Sequence, residues 1–429
     1  MNKISLLSII VVLLVSACGS SIINTDPALL MKFSELQSKH DYFKMKKLFV
    51  SHEKELSSDY LLYYGAIIDS YFSRPEESNE KIEDLLEQKK CSVSDSLMSV
   101  LLSVKETNHA RLFEYNEAAK TCKLLMDNFE VFFSKEEYLE LTNAYYFWKA
   151  LKNIPKQELR IYGRPEMSFD TDNRGFWNFN VQLADTTCHF IFDTGAGTSM
   201  IKRSVAIKEG YKIIELEYPV KAFTGKEIET NLAIAEKIKI GDLTFDHVIF
   251  LVVDDKNLNI PNKNISIGGI IGLPVISALE EISIRHGKII IPQDPLPKTE
   301  ENLVIQNLAP VVYSGYQSDS IFMKFDTGAL RTNFHSLFYN NYKKQIETNC
   351  KKKAVRAGSV GGPVEFDVFK TGELELEVGK AKAKIKNVNI FTEEIKSANR
   401  YLHGNLGLDY INQFNEINIS FLNSTITFR

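Results

Sequence analysis

The chain has 429 residues, 44% of them hydrophobic and 25% charged, proportions that exclude disorder, a fibrous repeat or a set of membrane spans. That length calls for two or three cores rather than one. With 51 Lys and Arg against 55 Asp and Glu the net charge is -4, so no general basic field argues for nucleic acid, and any partner has to be argued from a site.

At the N-terminus, Lys3 precedes an apolar run from Leu6 to Val15, followed by Ser16, Ala17 and Cys18. The pattern reads as an export signal, and the run is shorter than the roughly 20 residues a spanning helix needs. Val15-Ser16-Ala17-Cys18 resembles the lipobox of bacterial lipoproteins. The resemblance implies that residues 1–18 are a signal peptide ending at Cys18, which becomes the mature N-terminus and carries the lipid, with residues 19–26 as a tether. The expected location is the bacterial cell envelope, lipid-anchored at the outer membrane on its periplasmic or surface face. Export would permit disulfides, yet Cys91, Cys122, Cys188 and Cys350 are too few for a framework in so long a chain. They read as buried apolar residues, with their disulfide state open. The eight His are scattered, with no metal-ligand spacing, so no metal and no cofactor is expected.

Residues 27–155 are helical in pattern. Tyr42, Met45, Leu48 and Phe49 recur at spacings of three and four, as do Leu61, Tyr64, Ile67, Ile68 and Tyr71, and Gly65 is the only glycine. Breaks near Ser57-Ser58, Ser73-Arg74-Pro75, Cys91-Ser92 and Ser134-Lys135 divide the region into about seven helices of roughly 10 to 18 residues. Stacked helical hairpins weakly similar to tetratricopeptide repeats, or an irregular bundle, both fit. Such a region could bind a protein partner.

Past Pro155 the chain turns mainly β, with short branched runs such as Phe176–Val181, Ala233–Ile240 and Val248–Val253 between turn residues. Residues 294–302 are polar and proline-containing, which suits a linker between a first lobe at 160–293 and a second at 303–429. The two lobes echo each other. Phe190-Ile191-Phe192 leads into Asp193-Thr194-Gly195-Ala196, and Ile321-Phe322-Met323-Lys324-Phe325 leads into Asp326-Thr327-Gly328-Ala329. Downstream, Gly269-Ile270-Ile271-Gly272 is matched by Gly404-Asn405-Leu406-Gly407. Between these lie strand-turn-strand patterns around Gly241 and Gly379, and each half ends in a hairpin, turning at His286-Gly287 and at Asn423-Ser424. Markers in one order define an internal repeat.

This repeat resembles the retropepsin-like and pepsin-like aspartic peptidases, over about residues 160–429. The resemblance implies a multidomain α + β chain: an all-α helical-hairpin region, then two mainly-β acid-protease-type lobes related by pseudo-twofold symmetry. It also implies an aspartic-type endopeptidase in which Asp193 and Asp326 share a catalytic water. Thr194 and Thr327 would interlock the two loops, while Gly195 and Gly328 let the backbone turn tightly. Two carboxylates held close cannot both ionise, so they share a proton, one acting as base and its partner as acid. Ala196 and Ala329 look like the retroviral form of the motif. Leu330-Arg331-Thr332-Asn333 are bulkier than the family's usual residues and leave that side of the cleft undefined.

A cleft of this kind needs a lid. The flap candidates are Phe223, Thr224 and Gly225 in the first lobe and Gly358 and Ser359 in the second, each at a Gly-containing hairpin turn. The expected partner is a peptide or protein substrate. A non-catalytic lipoprotein adaptor, binding peptides or proteins through the helical region and the interlobe cleft, is the alternative, and the lobes could pair within one chain or between two.

Overall fold

The computed structural model describes residues 24–88, 92–222, 224–258, 267–394 and 400–429. Residues 1–18, read above as a signal peptide ending at Cys18, therefore lie outside the described residues, as do Cys91 and Phe223.

Among the described residues, seven α-helices come first: α1 (Pro27–Ser38), α2 (Tyr42–His52), α3 (Ser58–Tyr71), α4 (Pro75–Leu86), α5 (Asp95–Arg111), α6 (Tyr115–Asn128) and α7 (Lys135–Leu151). Four of them start where a side chain takes up a free N–H group of the first turn. Asp26, Asp41 and Ser94 cap α1, α2 and α5, and Ser134 with Glu137 closes a reciprocal capping box on α7. The same turn joins α1 to α2, α3 to α4 and α5 to α6. In each, a residue with positive φ (His40, Ser73, Phe113) is followed by an N–H that reaches back five residues, from Asp41 to Leu36, Arg74 to Asp69 and Glu114 to His109. The region is thus built of helical hairpins.

Each β lobe is a sheet that carries its motif strand at the centre. In the first, Thr187–Phe192 lies between Trp177–Gln182 and Gly269–Ile271, which runs parallel to it. In the second, Asp319–Phe325 lies between Ala309–Tyr316 and the parallel Gly404–Leu406. A third sheet joins the lobes: Glu281–Arg285 of the first pairs with Glu416–Ser420 of the second, flanked by the terminal hairpin strands of each. Both lobes therefore come from one chain. Residues 294–302 have no regular structure, but their end is tied down. Asn302 is buried and exchanges two hydrogen bonds with the backbone of Ile426, at 2.9 and 2.8 Å, and Glu301 and Glu300 pair with Lys46 and Lys47 of α2.

One apolar core runs through both lobes. The helices then cover the remaining face of each motif sheet. Phe33, Tyr42, Phe43 and Tyr64 share a core with Val304, Val311, Phe322 and Leu402 of the second lobe. Tyr115, Phe147 and Leu151 share another with Ile191, Met200, Leu251 and Ile270 of the first. Where the three parts meet, a cavity of about 270 Å³ remains, lined among others by Arg111, Trp148, Thr198, Pro274, Ile305 and Leu308. Cys122, Cys188 and Cys350 are free thiols, Cys122 buried and the other two half-buried.

Candidate active site

Each motif strand runs into its aspartate and must then turn back sharply. The turn is closed within the loop by Ala196 N–H on the Asp193 carbonyl (3.2 Å) and Ala329 N–H on the Asp326 carbonyl (3.2 Å). The parallel strand behind each loop accepts from the aspartate's own N–H, through Ile271 and Leu406, both at 3.0 Å. Beyond it, Gly272 and Gly407 lie against the loops, so that a Cβ at Gly272 would come within 2.7 Å of the Ala196 carbonyl oxygen and one at Gly407 within 2.6 Å of Arg331 backbone. Only glycine allows this approach. The apolar-apolar-Gly signature thus has a steric cause.

The two loops interlock through their threonines, both fully buried. Thr194 Oγ1 donates to the Phe325 carbonyl at 2.7 Å and accepts from Thr327 N–H at 3.1 Å. Thr327 Oγ1 donates to the Phe192 carbonyl at 2.8 Å and accepts from Thr194 N–H at 3.0 Å. Each hydroxyl therefore ties the opposite lobe's motif strand to its own loop. The local twofold relation is close, the paired lengths agreeing within 0.1 Å.

This interlock sets each carboxyl over the opposite glycine. A Cβ on Gly328 would lie 2.2 Å from Asp193 Cγ, and one on Gly195 would lie 2.6 Å from Asp326 Cγ. Asp326 is 6% exposed and Asp193 is half-buried. Burial raises the Asp193 carboxyl above the usual range and the neighbouring Asp326 charge raises it further, while Lys324 and the Gly195 N–H, 2.8 Å from Asp193 Oδ1, pull the other way. A carboxyl so placed holds its proton to higher pH than a free one.

The flap candidates fall at hairpin tips. In the first lobe Ile213–Lys221 and Glu227–Ile240 form a long hairpin whose turn holds buried Thr224 and Gly225 at φ +77°. In the second, Lys351–Ser359 pairs with Gly362–Lys370. Gly358 and Ser359 end the first of these strands, and the turn itself falls at Val360-Gly361. The two tips touch: Lys226 Nζ donates to the Gly361 carbonyl at 2.5 Å, and the Cβ position of Gly361 lies 3.0 Å from Ile228. The bulky run after Ala329 does not crowd the loop. Arg331 is exposed, Thr332 holds Gly407 N–H at 3.0 Å, and Leu330 rests 3.5 Å from the Cβ position of Gly175 in the other lobe.

Two polar residues beside the aspartates are not marked by the Asp-Thr-Gly motif itself. Lys324 Nζ lies 3.2 Å from Asp326 Oδ2 with its side chain 12% exposed, and Asn405 Nδ2 donates to the same oxygen at 3.2 Å. The repeat carried the signal, since Lys324 and Asn405 occupy the positions held by Ile191 and Ile270 in the first lobe.

The sequence model of a family described as Aspartyl protease matches residues 179–275. Among solved structures, one titled as a retropepsin-like aspartic protease from Rickettsia conorii is similar at 16% identity, over 32% of this chain and 92% of that one, with a TM-score of 0.21. No curated protein matches the chain. The family match covers the first motif and its downstream glycine, and with the two-lobed fold it points to a peptidase, a hydrolase.

Proposed function

We propose that the protein is an aspartic endopeptidase anchored in the bacterial cell envelope through lipid on Cys18, cleaving peptide bonds with a water held between Asp193 and Asp326. The observation that supports it most is the crossed seating of each carboxyl over the other lobe's glycine, which brings two acids from distant sequence into one buried site. In the reaction, the ionised carboxylate takes a proton from water as its oxygen attacks the scissile carbonyl carbon, and the protonated partner gives its proton to the carbonyl oxygen. The resulting diol collapses as the C–N bond breaks. The amine nitrogen takes the proton first removed from water, and a diol hydroxyl returns its proton to the other carboxyl, restoring the pair.

The touching hairpin tips support a lid over an extended chain, and the helices offer a protein-binding surface or a spacer from the membrane. The test is cleavage of an unfolded protein by the purified chain. Asp193→Asn and Asp326→Asn should each abolish it, and mixing the two variants should restore nothing, because the lobes pair within one chain. A statine-type inhibitor should bind the parent tightly and both variants far more weakly. Peptide binding that survives both substitutions, without cleavage by the parent, would favour the adaptor reading instead. Cys18→Ala should move the protein from the membrane fraction to the soluble envelope fraction.

A further inference from the structure

The two halves of the site are not equivalent, and one difference lies on the sheet face that carries the aspartates. Side chains alternate along a strand, so the residue two before each aspartate points to the same face as its carboxyl. In the first lobe that residue is Ile191, paired in register with Ile270, and both are buried in the apolar layer beneath α6 and α7. In the second lobe it is Lys324, paired in register with Asn405. An apolar pair is thus replaced by a cation and an amide, and both aim at one atom, Asp326 Oδ2, each at 3.2 Å. The ammonium is also 3.4 Å from the Gly195 carbonyl of the opposite loop.

We propose that Lys324, oriented with Asn405, is a positioning residue that fixes the negative charge of the dyad on Asp326 and leaves the shared proton on Asp193, making Asp326 the base and Asp193 the acid. This assignment rests on the peptidase reading for its mechanistic roles, though not for the charge distribution itself. An oxygen that faces two donors is a poor place for a proton, since protonation would set a hydrogen against an ammonium or an amide hydrogen. Asp193 has no such cation beside its strand, and its Oδ1 takes only the Gly195 N–H among the side-chain bonds described. The burial that raises Asp193 acts in the same sense. The charged groups facing the dyad among the described residues are few. They are Asp193 across the loops and Lys324 on the second lobe's own strand, while Asn405 beside Lys324, and Ile191 and Ile270 at the matching positions of the first lobe, carry no charge. His403, one residue before Gly404, is kept uncharged by burial, which lowers it to about 4, and it accepts the Phe322 N–H.

The consequence has a definite sign. A cation beside the singly protonated dyad stabilises that monoanion against taking up a second proton, and also favours loss of the first. Both limbs of the pH profile therefore lie lower than they would without Lys324, and its removal moves both upward. An opposite charge at this range shifts a carboxyl by about 1 to 3 pH units when buried, so the acid limb should move by about one unit or more.

The experiment uses Lys324→Ile, which installs the residue the first lobe carries at the matching position, together with Lys324→Arg and Lys324→Ile/Asn405→Ile. Selective ¹³C labelling of the aspartate carboxyls, assigned with Asp193→Asn and Asp326→Asn, follows proton uptake by the dyad without catalysis, and the pH dependence of kcat/KM follows it with catalysis. Expected are an upward move in Lys324→Ile and in the double variant, and a parent-like profile in Lys324→Arg. Proton uptake at the same pH in Lys324→Ile and parent would overturn the inference, as would a proton resting on Asp326 in the parent. If the dyad titrates as expected but the parent cleaves nothing, the peptidase reading fails while the charge assignment stands. If the parent cleaves and the limbs do not move, the reverse holds.

Discussion

Replacing either aspartate by asparagine should silence the same chemistry yet have opposite effects on stability. Asp193 has its folded value raised by burial and by Asp326. The folded protein therefore binds that proton more tightly than the unfolded chain, and stability is lost as pH rises through the folded value. Asp193→Asn removes a penalty that grows with pH, so its melting temperature should gain on the parent between pH 5 and pH 8. Asp326→Asn instead strips Lys324 of its carboxylate where the ammonium is only 12% exposed. Leaving one partner of a buried pair alone costs about 3 kcal/mol, and nearby Asp193 and the Gly195 carbonyl reduce that to roughly 2. A drop of several degrees should follow. Calorimetry of the two variants across that pH range checks both signs, and equal shifts would contradict the charge distribution. The aspartates themselves were legible because the motif repeats. Lys324 was printed in the motif strand and still passed over, because a lone lysine on a strand ordinarily reads as a solvated residue. Only the register of Lys324 against Asn405, set beside that of Ile191 against Ile270, shows that it faces the acid.

Among the elements, the interlocked loops carry the most consequence for their size. Thr194 Oγ1 bridges the Phe325 carbonyl and the Thr327 N–H in a fully buried place. Valine there would keep the shape and leave both partners unmet, at about 1 to 3 kcal/mol each. Thr194→Val should therefore lose about 2 to 6 kcal/mol in denaturant unfolding together with most activity, while Thr194→Ser keeps the bonds and should stay close to the parent. A valine variant as stable as the serine one would mean the interlock is ornamental. The sequence named these threonines through resemblance alone, since nothing local in an Asp-Thr-Gly turn says that its hydroxyl will reach another strand more than a hundred residues away. Helix positions were more readable. Breaks at Ser57-Ser58, Ser73-Arg74-Pro75 and Ser134-Lys135 coincide with the starts of α3, α4 and α7, because caps, turn prolines and the 3.6-residue period are local signals. The hairpin tips fall between these cases. Gly225 and Gly361 mark turns by their need for positive φ, but the contact of Lys226 with Gly361 joins two lobes and has no sequence signature.

On the scale of the molecule, the helical region is less a separate module than its sequence suggests. Composition changes abruptly near Pro155, as at a domain boundary, yet burial crosses that boundary twice. Phe43 stacks on Phe322 and meets Tyr313 of the second lobe at a tilt, and Phe147 meets Tyr218 on the first lobe's long hairpin. Lys221, at the end of that hairpin's first strand, pairs with Glu136 and Glu140 one turn apart on α7. The pair itself is exposed and weak, so the Phe147–Tyr218 contact, three residues before Lys221, is what holds the outer half of the hairpin. A body that packs on both lobes resists their separation and leaves opening of the cleft to the hairpin tips, where Lys226 Nζ bonds the Gly361 carbonyl, Gly361 N–H bonds the Asn257 carbonyl and Val360 packs on the first lobe's apolar cluster. The same continuity predicts how the protein unfolds. Independent domains of this size would melt in separate transitions, but removing the helices would bare Ile191, Met200 and Ile270 on one lobe and Val311 and Phe322 on the other, two apolar faces that a soluble protein does not carry. The intact chain should therefore melt as one calorimetric transition, and a dyad-directed inhibitor, though it touches only the lobes, should raise the whole transition by mass action. An early helical transition that ignores the inhibitor would show that the shared cores do not couple the two regions.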